Sequence, residues 1–195
     1  MGNIQSVVRK VQQLGHSCAV INTADEVLKA DKLILPGVGH FGKAMEQLEQ
    51  LNLIEALNYA AQEKKIPILG ICLGMQLMAK QSEEGNVKGL GWFDANIVRF
   101  KVNDTLRFKV PHTGWNQVQQ KKKSTLMEGI SENAEFYFVH AYHIQLNDDS
   151  DALHETMYEA AFVSAIEKEN IFGVQYHPEK SHDAGIQLIK NFIAL

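Results

Sequence analysis

The sequence predicts an α/β protein, a mostly parallel central sheet flanked by helices, in one domain over residues 1–195. Three observations carry this. Apolar strand-like runs alternate with helical periodicity through the first half, the pattern of strands joined by helical crossovers. One run, Ile66-Pro67-Ile68-Leu69-Gly70-Ile71, is apolar on both faces and leads straight into a helix-like segment, as buried parallel strands do. A chain of 195 residues, 45% hydrophobic and 22% charged, suffices for one core and falls short of two.

Ile4, Val7, Val8, Val11 and Leu14 recur at three and four and predict a helix, with Asn3 as N-cap and Gly15 as its C-terminal stop. Cys18 to Ile21 reads as a short strand. Lys32 to Leu35 reads as another, stopped by Pro36-Gly37. Helices follow over Gly42 to Leu51 and Leu53 to Lys64. The apolar strand 66–71 then runs into the helical Leu73 to Met78, so the first half reads αβαβα. In the second half, residues 92–102, 106–110, 115–119, 135–146, 160–167 and 171–176 read as strands, and Ala184 to Leu195 closes the chain as an apolar-faced helix. Lys121-Lys122-Lys123 reads as a solvated turn.

The net charge of −4 gives no broad basic surface for nucleic acid or anionic membrane. No apolar run approaches a membrane span, and the start has no basic, apolar leader. The two cysteines, Cys18 and Cys72, are too few for a disulfide framework, so a reduced, cytoplasmic setting is the expectation. No His/Cys cluster has metal-ligand spacing, and neither metal nor cofactor is expected.

The sharpest local feature is Gly70-Ile71-Cys72-Leu73-Gly74 between strand and helix, a nucleophile elbow with Cys in place of Ser. The glycines leave room for a tight turn, and the following helix start favours thiolate. The bland alternative is a buried Cys in an ordinary strand–helix turn. A thiolate needs a proton shuttle for the leaving amine. His177, in Gln175-Tyr176-His177-Pro178-Glu179, would also sit at a strand end, with Glu179 placed to orient it. Alone, His177-Pro178-Glu179 reads better as a turn His beside a surface Glu, and it gains weight only when joined to the elbow. The third piece, Pro36-Gly37-Val38-Gly39, follows a strand. Acyl transfer needs N–H donors for an oxyanion. Leu73 would supply one and Val38 or Gly39 the other, although this run in isolation is as readily a plain β-turn.

Six segments occur in order: Pro36-Gly37-Val38-Gly39-His40-Phe41, Gly70-Ile71-Cys72-Leu73-Gly74-Met75-Gln76, Gly89-Leu90-Gly91-Trp92, Pro111-His112-Thr113-Gly114-Trp115-Asn116, Phe136 to Tyr142 and Gly173 to Ser181. Together they resemble the class I glutamine amidotransferases over essentially the whole chain, and most nearly their glutaminase subunits of the imidazole glycerol phosphate synthase type. The resemblance implies a Cys72–His177–Glu179 triad, hydrolysis of glutamine, and delivery of the ammonia to a (βα)8-barrel cyclase of histidine biosynthesis in a heterodimer. It implies that Gly37, Gln76, Glu84, Ala141 and Tyr142 line the glutamine site, and that Asn3, Trp115, Tyr137 and Lys180 face the partner. Gln76 lies one helical turn beyond Cys72, which suits that role; Glu84 stands in an acidic pair that would otherwise be a solvated loop.

The chain also departs from the pattern. Relatives begin with an apolar strand ahead of Met-Gly-Asn, which this sequence lacks, so a gap in the sheet is expected. Ala141 stands where Ser or Thr is usual, and removes a hydroxyl. Lys109 to His112 and Lys180 to His182 are similar to a paralogous branch supplying ammonia for surface sugars, which is the alternative function. A cysteine hydrolase or peptidase of related fold is a second alternative, disfavoured by Gln76 and the Pro-Gly-Val-Gly loop.

Overall fold

The computed structural model describes residues 4–195. Its elements in chain order are α1 (Ile4–Gln13), α2 (Ala24–Lys29), β1 (Leu33–Gly37), α3 (Phe41–Gln50), α4 (Ile54–Asn58), β2 (Ile68–Cys72), α5 (Leu73–Gln76), β3 (Gln81–Ser82), β4 (Val87–Lys88), β5 (Ala95–Arg99), β6 (His112–Gln117), β7 (Gln119–Gln120), β8 (Glu135–His140), β9 (Tyr142–Leu146), β10 (Ala152–Tyr158), β11 (Ala160–Lys168), β12 (Ile171–Val174) and α6 (His182–Ala194). The main sheet runs β1-β2-β12-β11-β9-β5-β3-β4, with β10 on β11 and β7 on β10; β6 and β8 form a separate antiparallel ribbon. The sheet is mixed. β1, β2 and β12 are parallel, as is the short β3–β5 pair, and the other pairings are antiparallel.

Parallel register is what assembles one end of the molecule. Gly37 pairs with Cys72, and Val174 with Ile71, so the carboxyl ends of β1, β2 and β12 meet. Such an end is where open α/β sheets bind ligands. β2 is buried along its whole length, and its alternating side chains feed two cores. Ile68 joins Phe41, Leu48, Leu57, Met75 and Phe93 on one face. Leu69 and Ile71 join Val7, Phe136, Phe138, Leu188 and Phe192 on the other. The two-residue period of a strand permits this only if both faces are covered.

α1 ends where expected, with Gly15 at φ +81 and its N–H donating to Gln12 O at 2.9 Å; Asn3 lies outside the described residues. The 53–64 helix is present as α4, ending in a π-turn over Tyr59–Glu63.

Several expectations need correction. Cys18 to Ile21 is not a strand. The segment has no sheet partner among the described residues, and Val20 is exposed, because an apolar run becomes a strand only where a neighbour offers a ladder. Pro36-Gly37 does not stop β1 but belongs to it. β1 is an end strand of the sheet order, and a residue lacking an N–H is tolerated there. Residues 106–110 are irregular, with a turn at 105–107, and not a strand. Asp104 Oδ1 accepts from the N–H groups of Leu106 and Arg107, both at 3.1 Å, and Leu106 is 90% exposed. The 92–102 run condenses to β5, 115–119 begins earlier as β6, and 135–146 divides at Ala141 into β8 and β9. β10 escapes the binary pattern because of its polar His154 and Glu155 and the register shifts around them. The short α2 has a signal that composition hides, a capping box of Thr23 with Glu26 that starts it.

Candidate active site

Cys72 is the last residue of β2 and sits immediately before α5, with φ +54 and ψ −111. That backbone is strained for any residue with a side chain, and the surroundings hold it. A Cβ at Gly74 would meet Leu35 O at 1.7 Å, and one at Gly70 would meet Met75 N at 2.7 Å and Gly74 C at 2.8 Å. The elbow therefore closes only because both flanking residues lack side chains. A Cβ at Gly37 would lie 3.1 Å from Leu73 Cβ and 3.3 Å from Gly74 N, so the end of β1 lies directly against the elbow. Gly39 has φ +115, a conformation that side chains rarely adopt. Val38 and Gly39 thus follow a strand end packed on the elbow, and Leu73 is the elbow's next residue.

β12 ends beside β2, and three residues on stands His177, buried with Glu179. Pro178 opens a short 3-10 turn that folds the carboxylate back, and Glu179 Oε1 lies 2.7 Å from His177 Nδ1. Burial works to lower the His177 pKa, but hydrogen bonding and charge from Cys72 and Glu179 outweigh it and raise the value to about 9. The imidazolium is therefore the resting form near neutrality, between a carboxylate and a sulfur. Nε2 is buried and faces the Cys72 sulfur in a contact looser than a well-formed hydrogen bond. A contact of that kind is common at a candidate acid–base group in the absence of substrate. Ser181 Oγ donates to His177 O at 2.6 Å and accepts from Tyr137 N at 3.0 Å, while His177 N donates to Tyr137 O at 2.9 Å. The turn from His177 to Ser181 is thus stitched to β8.

Gln76 is buried and donates through Nε2 to Tyr142 O and to Gln175 Oε1, each at 3.0 Å. Gln175 Nε2 in turn donates to Cys72 Sγ at 3.6 Å. Sequence reasoning does not single out Gln175 as a site residue. The signal that could have found it is the period of two: Gln175 and His177 alternate onto one side of the segment leaving β12. Ala141 contributes its carbonyl to Phe100 N at 3.0 Å. Glu84 Oε2 accepts from Phe41 N at 2.7 Å, which pins the start of α3 and hence the end of the Pro36–Phe41 loop. The structure therefore gives the Glu84 carboxylate a part in anchoring that loop.

Trp115, Tyr137 and Lys180 form one patch. Trp115 pairs with Tyr137 across the ribbon, their rings 5.9 Å apart, and stacks on His182 at 4.8 Å. Lys180 Nζ lies 5.4 Å above the Tyr137 ring. Trp115 is 44% exposed, a large amphipathic side chain of the kind that anchors interfaces. The patch is one backbone hydrogen bond from His177. Cys18, the other thiol, is exposed. No helix among the described residues is long and apolar enough to cross a membrane.

The glutamine amidotransferase class-I family model matches residues 1–195. The chain is 46% identical to the imidazole glycerol phosphate synthase subunit HisH 2 of Methanococcus maripaludis, over 99% of this chain and 95% of that protein. It is 44% identical to the imidazole glycerol phosphate synthase subunit HisH of Methanocaldococcus jannaschii, over 100% and 95%. Among solved structures, a glutamine amidotransferase superposes with TM-score 0.77 at 15% identity, covering 99% of this chain and 93% of that one. A glutamine amidotransferase from Thermotoga maritima gives 0.63 at 18%, covering 94% and 74%. At those identities the two structures speak to fold alone.

Proposed function

The chain belongs to the class I glutamine amidotransferase family, and from that premise we propose that Cys72, His177 and Glu179 are its catalytic triad. The chain is a glutamine-hydrolysing subunit of the imidazole glycerol phosphate synthase type, acting in histidine biosynthesis; its relatives' names favour this over the surface-sugar alternative. The observation that carries the site assignment is the strained, glycine-cleared Cys72 elbow beside a buried His177–Glu179 pair. In the proposed sequence, Cys72 sulfur attacks the carboxamide carbon of glutamine, and backbone N–H groups of Leu73 and of Val38 or Gly39 receive the oxyanion. His177 gives its proton to the departing nitrogen, and ammonia leaves as the thioester forms. The now neutral His177 takes a proton from water, which attacks the thioester, and glutamate leaves with His177 again an imidazolium beside the Cys72 sulfur.

Ammonia released to water would become ammonium, so the chemistry calls for a partner subunit. The relatives' subunit names imply one. We assign that partner as a (βα)8-barrel cyclase docking over Trp115, Tyr137 and Lys180. The triad is tested with a glutamine-like diazoketone. Labelling of Cys72 with Cys18 untouched is expected, and labelling confined to Cys18 would refute the assignment.

A further inference from the structure

A second group of histidines lies behind the glutamine site. His112 on β6 and His140 on β8 face each other in register and are buried. His112 Nδ1 lies 3.1 Å from His140 Nε2, and His140 Nδ1 lies 2.8 Å from Tyr142 O. The same carbonyl accepts from Gln76 Nε2, whose other partner, Gln175, reaches Cys72 sulfur.

The hydrogen-bond valences settle the direction. A carbonyl only accepts, so His140 must carry its proton on Nδ1 and present Nε2 as a lone pair. His112 must then donate from Nδ1, which leaves its Nε2 as the acceptor 3.5 Å from Asn116 Nδ2. At the other end, both Gln76 amide hydrogens are spent on Tyr142 O and Gln175 Oε1. Gln76 is left with its carbonyl oxygen to offer, so it meets a ligand as an acceptor only. The rings themselves are held in place. His112 is sandwiched between Phe138 at 4.9 Å and Tyr158 at 4.0 Å, and His140 packs on Phe100 at 5.1 Å.

We propose that His112 and His140 are positioning residues, a one-way donor relay that fixes the Tyr142 carbonyl and thereby holds Gln76 with its oxygen turned to the N–H donors of bound glutamine. Burial supports the relay by holding His112 at about 4 and His140 at about 3, so that neither imidazole near neutrality gains the second proton that would set two donors head to head. The proposal rests on the reading of glutamine as substrate, and it begins on the strand that carries Trp115.

The test separates hydrogen bonding from packing. His112→Phe keeps the ring stack and deletes the donor; His112→Asn keeps a donor at the Nδ1 position and loses the stack. Each variant is titrated with the glutamine-like diazoketone, and Cys72 alkylation by iodoacetamide serves as the control for intrinsic sulfur reactivity. His112→Phe is expected to raise the half-saturating diazoketone concentration about fivefold, the scale of one hydrogen bond, with the iodoacetamide rate unchanged and His112→Asn returning towards wild type. Half-saturation unchanged in His112→Phe, or worse in His112→Asn than in His112→Phe, overturns the relay and leaves the triad standing. Nitrogen-15 NMR of the wild-type imidazoles gives an independent reading: protonation on Nδ1 of both rings is expected, and an Nε2–H on either overturns it. If iodoacetamide modifies Cys72 and the diazoketone does not, the glutaminase reading fails, and the NMR tautomers alone decide the relay.

Discussion

At the scale of single residues, the working parts are few and their energetics are set by burial. The His177–Glu179 pair is almost fully removed from water, so removing one partner strands a buried charge. His177→Ala should lower glutamine hydrolysis roughly a hundredfold or more, the usual weight of a general acid–base group, and wild-type rates in this variant would refute the role. Glu179→Gln should cost less and leave a distinct trace. Glu179 is one of the groups that raise His177 to about 9 against the opposing effect of burial. In the wild type, the imidazolium that the proposed sequence uses to protonate the leaving nitrogen is therefore lost only as pH rises through about 9. Without the carboxylate it should be lost at lower pH, moving the alkaline fall of kcat/KM downward; an unmoved limb would show that Glu179 does not act on His177. His177 was legible in the sequence because it follows an apolar strand and precedes Pro178, and Glu179 because it stands two residues further on. Gln175 and the His112–His140 pair were not. The first looks like an ordinary strand residue, and the second depends on a β6–β8 register that joins residues 28 positions apart.

At the scale of elements, the elbow is a packing problem solved by missing side chains. Gly74→Ala would place a methyl 1.7 Å from a backbone carbonyl in β1, an overlap that no rotamer relieves. It should destabilise the fold by about 3 kcal/mol, measured as a fall in the urea midpoint. Gly15→Ala, where nothing lies within 4 Å of the added carbon, tests the contrasting case of backbone strain without collision, and its expected cost is about 1 kcal/mol. Equal losses in the two variants would mean that crowding is not what reserves position 74 for glycine. Elements with strong internal signals were readable: α1 from its apolar spacing, β2 from its unbroken apolar run, α6 from its periodic face. Those that failed depended on neighbours. Residues 18–21 have strand-like composition and no ladder, while β10 pairs with β11 in spite of polar residues and a bulge. Binary pattern records which face is apolar, and pairing is decided elsewhere in the chain.

At the scale of the whole molecule, the question is how a site that needs only glutamine and water avoids wasting glutamine. The Gly37–Gly39 loop is held at both ends. β1 pairs with β2 up to Gly37, and Glu84 and His40 Nδ1 tie down Phe41 N and Gly42 N at 2.7 Å and 3.1 Å. Between these anchors Gly39 is exposed, at φ +115 with open space around it, so this is the stretch free to present an N–H to the oxyanion or turn it away. We expect the isolated chain to rest with the donor turned away, and the partner to favour the competent state by binding it better. A partner that bound both states equally would change nothing, and taking the loop from rare to dominant requires about 5.5 kcal/mol of differential affinity. Glutamate release should therefore be slow for the chain alone, faster with the partner subunit present, and faster again with the ammonia acceptor that the partner binds. Gly39→Ala isolates the loop's part in this. The added methyl has room, so its only effect is to disfavour φ +115, and it should raise the rate of the chain alone while shrinking the partner's effect. Equal rates in the three states of the wild type would end the switching model. A Gly39→Ala chain slower than wild type would instead mark the φ +115 backbone as the competent one.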